Sequence, residues 1–400
     1  MQWTRREWTL AVAGGAAACT QAPQAEETTT TVTPEDLLAQ SYVIDLHCDT
    51  PDRLAANSFD LGEDYAYGQV DIPKMRKGGV SGVFFAVYNS GARGATPEKY
   101  EDALKIIDLV KTQVARHADD LVLATTADNI VAAKQAGKIA ILMGVEGGHT
   151  IDSSLDHLRH LYELGSRYMT LTHGVHLPWA GSSGDVAEED PGLTDFGREV
   201  VAEMNRLGMM VDVSHVSDKT FAGVMEAAKA PMIASHSSCR ALSDHPRNMT
   251  DDMIKAVAGR GGVVHINFYN AFLDPDYRSR SAAYEDPTER NEDETVEAGW
   301  ARRMRKLETV GRTPFSVLLD HFEHAVKVGG VDHVGLGSDF DGVTEELPTG
   351  MEDISKIPNL ISGLRERGFA DEAISKILGG NTLRVMREVE TYAHASKESA

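Results

Sequence analysis

Eight short apolar segments alternate along this chain with stretches of helical spacing, and most of the eight end on a residue able to bind a metal or move a proton. They are Tyr42–Asp49, Val80–Tyr88, Ile139–Glu146, Tyr168–His173, Met209–His215, Pro231–His236, Gly262–Phe268 and Val334–Asp339. Between them, Pro97–His117 (opening after Thr96), Ser154–Leu164, Thr194–Leu207, Ser217–Ala228 and Asp251–Ala258 carry apolar residues three and four apart behind polar caps. Such alternation predicts parallel β/α units with right-handed crossovers, and eight of them predict a (β/α)8, TIM-like barrel. A barrel gathers the C-terminal ends of its strands on one face, so polar residues spread over roughly 300 positions would converge there. Two regions depart from the repeat. Asp274–Thr313 is dense in charge, carries a helix at Ala298–Leu307, and reads either as a lid beside the site or as a solvated insertion. Asp353–Ala393 reads as two or three terminal helices, broken at Gly379-Gly380, with Asn381 or Thr382 capping the last.

A chain of 400 residues with 42% hydrophobic content can bury one large core, and a single barrel domain over 34–400 accounts for it. Sixty-one acidic residues against 39 Lys plus Arg give a formal charge of −22. With no basic stripe in the body of the chain, nucleic acid is not an expected partner. Residues 1–19 read as an export signal: Thr4-Arg5-Arg6-Glu7-Trp8-Thr9-Leu10 resembles a twin-arginine signal, and Ala11–Ala18 is too short to span a bilayer. Ala16-Ala17-Ala18-Cys19 reads either as a lipoprotein processing site, with lipidated Cys19 as a membrane tether, or as ordinary cleavage after small residues. The expected location is therefore periplasmic or membrane-anchored, with 20–33 as a disordered tether rich in Thr, Ala, Gln and Glu. Cys48 and Cys239 remain within the domain, and each lies near a candidate ligand, so two reduced, buried cysteines are expected. No CxxC supports a structural zinc site.

His47 and Asp49 stand two apart on the first strand, so their side chains share a face. Glu146 closes a strand of Ile, Ala, Leu, Met, Gly and Val, where a carboxylate is costly unless paired or bound to a cation. His215 and His236 end two further strands. Any one of these would be read as an ordinary hydrogen-bonded residue; five on one rim are better explained together. Five ligands exceed the need of one tetrahedral ion. They suit two divalent ions about 3.5–4 Å apart, bridged by Glu146, because a carboxylate can bind through both oxygens. His47 and Asp49 would complete one ion, and His215 and His236 the other. Imidazole and carboxylate ligands favour zinc, with manganese or cobalt as alternatives. A water between the ions would ionise near neutral pH and attack a carbonyl or phosphoryl centre. Tyr269, just past the seventh strand, either lines the pocket or packs. The second and seventh strands, the latter with His265 near its end, are expected mainly to complete the barrel.

His47-Cys48-Asp49, Gly144-Val145-Glu146-Gly147-Gly148, Thr170-Leu171-Thr172-His173, Asp212-Val213-Ser214-His215, Ser235-His236-Ser237-Ser238 and Gly337-Ser338-Asp339-Phe340-Asp341-Gly342 resemble, in order, the motifs of the membrane dipeptidase (renal dipeptidase) family of zinc peptidases. The resemblance covers roughly residues 40–390. It implies a barrel with two zinc ions that hydrolyses dipeptides, often with a C-terminal D-residue, and it lays the family's ligands on His47, Asp49, Glu146, His215 and His236. It also implies that His173 holds the scissile carbonyl oxygen, that Arg247 binds the substrate's C-terminal carboxylate, and that Asp339 shuttles the proton to the leaving amine, with Asp341 as a supporting group. After Asp49 the family often continues to Pro-Trp, whereas this chain reads Thr50-Pro51-Asp52-Arg53. Asp52 would favour a cationic or polar substrate side chain. A homodimer is left open. The alternatives are another dinuclear barrel hydrolase, acting on a lactone, cyclic amide or phosphoester, or a silent binding protein. The former commonly begin with His-x-His and often bridge their metals with a modified lysine, where this chain has His-x-Asp and a glutamate; the latter would have lost a ligand or the aspartate.

Overall fold

The computed structural model describes residues 32–57, 59–89, 97–186, 189–286 and 294–398. The expected export signal with Cys19, the tether as far as residue 31, and the Thr96 cap lie outside those residues. Thr33 caps the first helix, Pro34–Gln40: its hydroxyl accepts from Asp36 N (3.1 Å) while the Asp36 carboxylate reaches back to Thr33 N (3.2 Å).

Nine strands follow: β1 (Ile44–Cys48), β2 (Gly82–Tyr88), β3 (Leu121–Leu123), β4 (Ile139–Glu146), β5 (Ser166–Thr170), β6 (Met210–Asp212), β7 (Met232–Ala234), β8 (Val263–Ile266) and β9 (Val334–Leu336). All pairings between them are parallel, in the order β2-β1-β9-β8-β7-β6-β5-β4, and β2 pairs with β4 from Gly82↔Ala140 to Tyr88↔Glu146 to close the ring. Eight strands therefore form the expected closed barrel. Every residue of β1, β4, β6, β7, β8 and β9 is buried, because helices cover the outside and side chains fill the inside. The ninth strand, β3, is an addition the sequence reading lacked. It pairs with Ile139–Ile141, the N-terminal half of β4, while β5 joins β4 higher up from Met143 to Glu146.

The expected helices form behind their caps. Ser154, Thr194, Ser217 and Thr250 each accept a backbone N–H at the start of Leu155–Glu163, Asp195–Leu207, Asp218–Ala227 and Asp251–Gly259. Ala127–Gln135 and Phe315–Gly329 are further helices. The insertion after β8 folds as Pro275–Ala282 and Val296–Val310, joined by a small core of Tyr277, Leu307 and Val310. It is anchored to the loop after β9: Arg303 grips Glu345 with two nitrogens and Lys306 pairs with Glu346. The terminal segment forms Ile357–Glu366, Asp371–Ser375 and Asn381–Glu398. Asn381 and Thr382 do not cap the last helix. They lie within it and tie it to the barrel, Asn381 Nδ2 donating to Val331 O (2.7 Å) and Val334 O (2.8 Å), and Thr382 Oγ1 meeting His265 Nε2 (3.1 Å). The break at Gly379 has a packing cause, since a Cβ there would strike Tyr42 O and Ile44.

Candidate metal centre and substrate pocket

The C-terminal rim of the barrel opens into a cavity of about 410 Å³. Asp49, Asp52, Glu146, His173, His215, His236, Arg247, Tyr269 and Asp339 all line it. The remaining sequence-predicted ligand, His47, is fully buried and touches three of them, Asp49, Glu146 and His236. Of these, only His47 and Glu146 lie within strands; the others follow strand ends, where the chain can turn a side chain over the mouth. His215 and Asp339 do so with φ of 65° and 67°, a left-handed conformation that non-glycine residues rarely adopt. The surroundings hold it. Ser183 N (2.8 Å) and Oγ (3.1 Å) both donate to His215 O, and Asp339 N donates to His47 O (3.1 Å).

The side chains converge on one oxygen. Glu146 Oε1 lies 3.1 Å from His215 Nε2, 3.4 Å from His236 Nε2, 3.5 Å from His47 Nε2 and 3.8 Å from His173 Nε2. His47 Nε2 is also 3.4 Å from Asp49 Oδ2. The possible ligand atoms fall into three groups that share Glu146 and His47: His47 with Glu146 and His236, Glu146 with His173 and His215, and His47 with Asp49 and Asp339. A divalent cation is tested by what these groups do without one. His47 Nε2 is buried with no hydrogen-bond partner, and the Nε2 atoms of His215 and His236 face each other at 2.9 Å. Asp49, Glu146, Asp339 and Asp341 crowd the same buried pocket; among the described residues Arg247 lines it with them, and Arg53 lies behind Asp341 with Nε on Asp341 O (3.2 Å). Orphaned or mutually facing nitrogens among clustered carboxylates fit metal coordination and fit a neutral packing role poorly.

The electrostatics follow from this crowding. Burial alone would push the Glu146 carboxyl up, but the charges of His47 and His173 and hydrogen bonds from His215 and His236 hold it well below its ordinary value. Burial pushes His215 and His236 well below theirs, a direction that favours the neutral imidazole a metal ligand requires. Burial and the charge of Asp49 push Asp339 well up. Asp52 keeps an exposed face, but partial desolvation at the cavity wall, then the charges of Asp49 and Glu146, push it up to about 6.

Supporting contacts orient the ligands, and sequence reasoning missed most of them. Tyr168 OH meets His47 Nδ1 at 2.7 Å. Gly144 makes room for it, because a Cβ there would overlap the Tyr168 ring. Asp212 accepts from Ser214 N, Ser235 N, Thr170 Oγ1 and Ser235 Oγ, and Ser235 Oγ in turn meets His236 Nδ1 at 2.7 Å. Asn267 Nδ2 donates to Asp339 Oδ2 at 2.8 Å. Tyr88, at the end of β2, packs its ring 4.8 Å from that of His173 and lines the cavity. The second and seventh strands thus do more than complete the barrel. Their polar ends, Tyr88 and Asn267, were visible in the sequence but carried no metal-binding chemistry. Asp341 accepts from Thr50 Oγ1 and Gln69 N, both at 2.8 Å, so its carboxylate braces the loop. Cys48 and Cys239 are free and buried, as expected.

Arg247 is buried, with Nη2 on His236 O (3.1 Å), Nη1 on Ser237 Oγ (3.4 Å) and its guanidinium over the Phe272 ring. Its Nε has no partner. Among the described residues, nothing from the 274–313 insertion lines the cavity; Arg303 and Lys306 instead brace the loop that follows Gly342 and Val343.

A closed parallel barrel with histidines and carboxylates converging at its C-terminal rim defines the class of metal-dependent barrel hydrolases. The model of the membrane dipeptidase family, peptidase family M19, matches residues 33–400, and the chain belongs to that family of metallo-dipeptidases. An uncharacterized dipeptidase, C965.12 of Schizosaccharomyces pombe, is 37% identical over 378 residues, covering 90% of this chain and 83% of the relative. Among solved structures, the probable dipeptidase PvdM from Pseudomonas aeruginosa superposes with a TM-score of 0.77 at 25% identity, covering 90% of this chain and 98% of that one. A metallo peptidase from Rhodobacter sphaeroides, liganded with a phosphinate mimic of the dipeptide L-Ala-D-Ala, gives 0.72 at 25% identity, covering 87% and 99%.

Proposed function

We propose that this dipeptidase works with two zinc ions held at Glu146 by His47 and Asp49 on one side and His215 and His236 on the other, and that its substrates include dipeptides ending in a D-residue. The observation that carries the metal reading is the convergence of three histidine nitrogens within 3.5 Å of Glu146 Oε1, with His47 Nε2 otherwise unpaired. The D-residue reading is supported by the dipeptide mimic bound to the Rhodobacter sphaeroides relative. When bound, the two ions would supply a water acidic enough to ionise near neutral pH and a Lewis acid for the scissile carbonyl.

The chain's own groups do the rest. Arg247, at the cavity wall, offers the guanidinium N–H groups it does not spend on His236 O and Ser237 Oγ to the C-terminal carboxylate, a charge-assisted contact that fixes the peptide's register. His173 stands beside Glu146 at the cavity wall and donates to the carbonyl oxygen as negative charge grows there. Asp339 takes a proton from the attacking water and returns it to the peptide nitrogen. The C–N bond breaks, the water's oxygen stays on the new carboxylate, both of its protons end on the new ammonium group, and two amino acids leave.

The test is a dipeptide library, including L-Xaa-D-Xaa members, assayed on protein reconstituted with zinc, manganese or cobalt, with bound metal counted directly. Glu146→Ala should lose both metal and turnover. Asp339→Asn should keep its metal and lose turnover by about 10²-fold or more, the range for removing a positioned acid–base group. Full activity in Asp339→Asn would refute the proton role, and two zinc ions retained by Glu146→Ala would refute the bridge.

A further inference from the structure

Asn267 follows β8, is fully buried, and makes two hydrogen bonds that constrain each other. Its Oδ1 accepts from Tyr269 N at 2.6 Å, and its Nδ2 donates to Asp339 Oδ2 at 2.8 Å. A backbone N–H can pair only with the amide oxygen, so the orientation of the amide is decided and the NH₂ must face Asp339. The other carboxylate oxygen, Asp339 Oδ1, lies against Gly342, which lines the cavity and has no side chain to cover it. One oxygen of Asp339 is therefore committed to a neutral donor, while its partner lies beside Gly342 at the cavity wall, where no side chain covers it.

We propose that Asn267 is a positioning residue for proton delivery: by holding Oδ2 it presents Oδ1 to the nitrogen of the scissile peptide. This rests on the reading of Asp339 as the proton carrier. Asn267 acts through Asp339, whose carboxylate also groups with His47 and Asp49 among the possible ligand atoms, so bound metal is counted in every variant. The same amide, through Tyr269 N, joins Asp339 to the wall segment that carries Tyr269 and Phe272.

A merely structural role and a positioning role separate on the leaving group. An amide nitrogen must be protonated before it departs, whereas an ester's alkoxide is a far better leaving group and depends less on the acid. The experiment compares L-Ala-D-Ala with its ester analogue L-Ala-D-lactate on zinc-loaded wild type, Asn267→Ala, Asn267→Thr and Asp339→Asn, with bound metal and thermal midpoint measured for each. Thr keeps a hydroxyl acceptor for Tyr269 N but removes the amide donor, so it guards against a folding defect. Both Asn267 variants should lose about 10–100-fold in kcat on the dipeptide, with KM within about twofold, and less than about threefold on the ester, metal content unchanged. Equal losses on amide and ester, a change confined to KM, or no loss at all would overturn the assignment. If Asp339→Asn itself cleaves the dipeptide normally, the underlying proton-carrier reading fails instead.

Discussion

Replacing Arg247 by methionine should abolish the preference for a free C-terminal carboxylate while sparing whatever catalysis does not need it. The guanidinium spends two of its five N–H groups on protein, one on His236 O and one on Ser237 Oγ, and Nε is buried with no partner. Burial lowers its pKa to about 10, against the raising influence of Asp339, Glu146 and Asp212, so the group stays cationic at neutral pH. A substrate carboxylate can therefore meet a charged donor that has already lost its water. Hydrogen bonds to charged partners are worth about 1.5–3 kcal/mol each, and two of them, less what water returns, leave about 3 kcal/mol. At about 1.4 kcal/mol per factor of ten, that is roughly 10²-fold in kcat/KM, appearing chiefly in KM because the carboxylate is bound in ground and transition state alike. The assay compares L-Ala-D-Ala with its C-terminal amide. Wild type should prefer the acid by about 10²-fold, Arg247→Met should bring the ratio near one, and Arg247→Lys should fall between, keeping charge without the fork. The competing effect is collapse of the wall, since the variant also loses the contacts to His236 O and Ser237. That damage would slow both substrates equally, so an unchanged acid-to-amide ratio would refute carboxylate recognition by Arg247.

Three further outcomes follow from named contacts. Tyr168→Phe removes the oxygen that meets His47 Nδ1, and loss of such a supporting partner should weaken zinc binding about 10–100-fold in a chelator competition; a shift below twofold would count against it. Asp52 is exposed at the cavity wall, so its attraction for a cationic side chain should be modest, about 1 kcal/mol. Asp52→Trp should accordingly cut kcat/KM about fivefold for Xaa-Arg and Xaa-Lys relative to Xaa-Leu dipeptides, and an unchanged preference would remove the idea. Gly342→Ala would drive a Cβ into Asp49 Oδ2 and Asp339 Oδ1 together, and misplacing reacting groups by about 1 Å costs about 10²-fold in turnover. Its melting temperature should barely move, and activity within threefold of wild type would contradict the packing.

The residues legible in the sequence were those whose environment the sequence itself displays. Glu146 ends a run of apolar residues, and His47-x-Asp49 repeats with the period of a strand, so both announce a buried polar group that needs a partner. The family motifs added His173, Arg247 and Asp339, and all three do line the cavity. What stayed hidden depends on neighbours distant in sequence. Tyr168 looks like a strand aromatic until β5 brings it under His47, 121 residues away. Asn267 looks like a strand-end polar residue until Asp339 is found 72 residues on. Asn381 and Thr382 both read as caps because polar residues of these types after a Gly-Gly break suit a helix start, yet the Asn381 amide pairs with Val331 O and Val334 O and Thr382 with His265. β3 escaped because three residues are too few to show a period. The left-handed turns at His215 and Asp339 escaped for a deeper reason. His and Asp tolerate positive φ better than most side chains but do not by themselves mark where it occurs; here distant groups, Ser183 and His47, hold the carbonyl of one and the N–H of the other. Strain imposed from outside in this way is what turns both side chains from their strand ends over one point, and it can be sustained only after the barrel around it has closed.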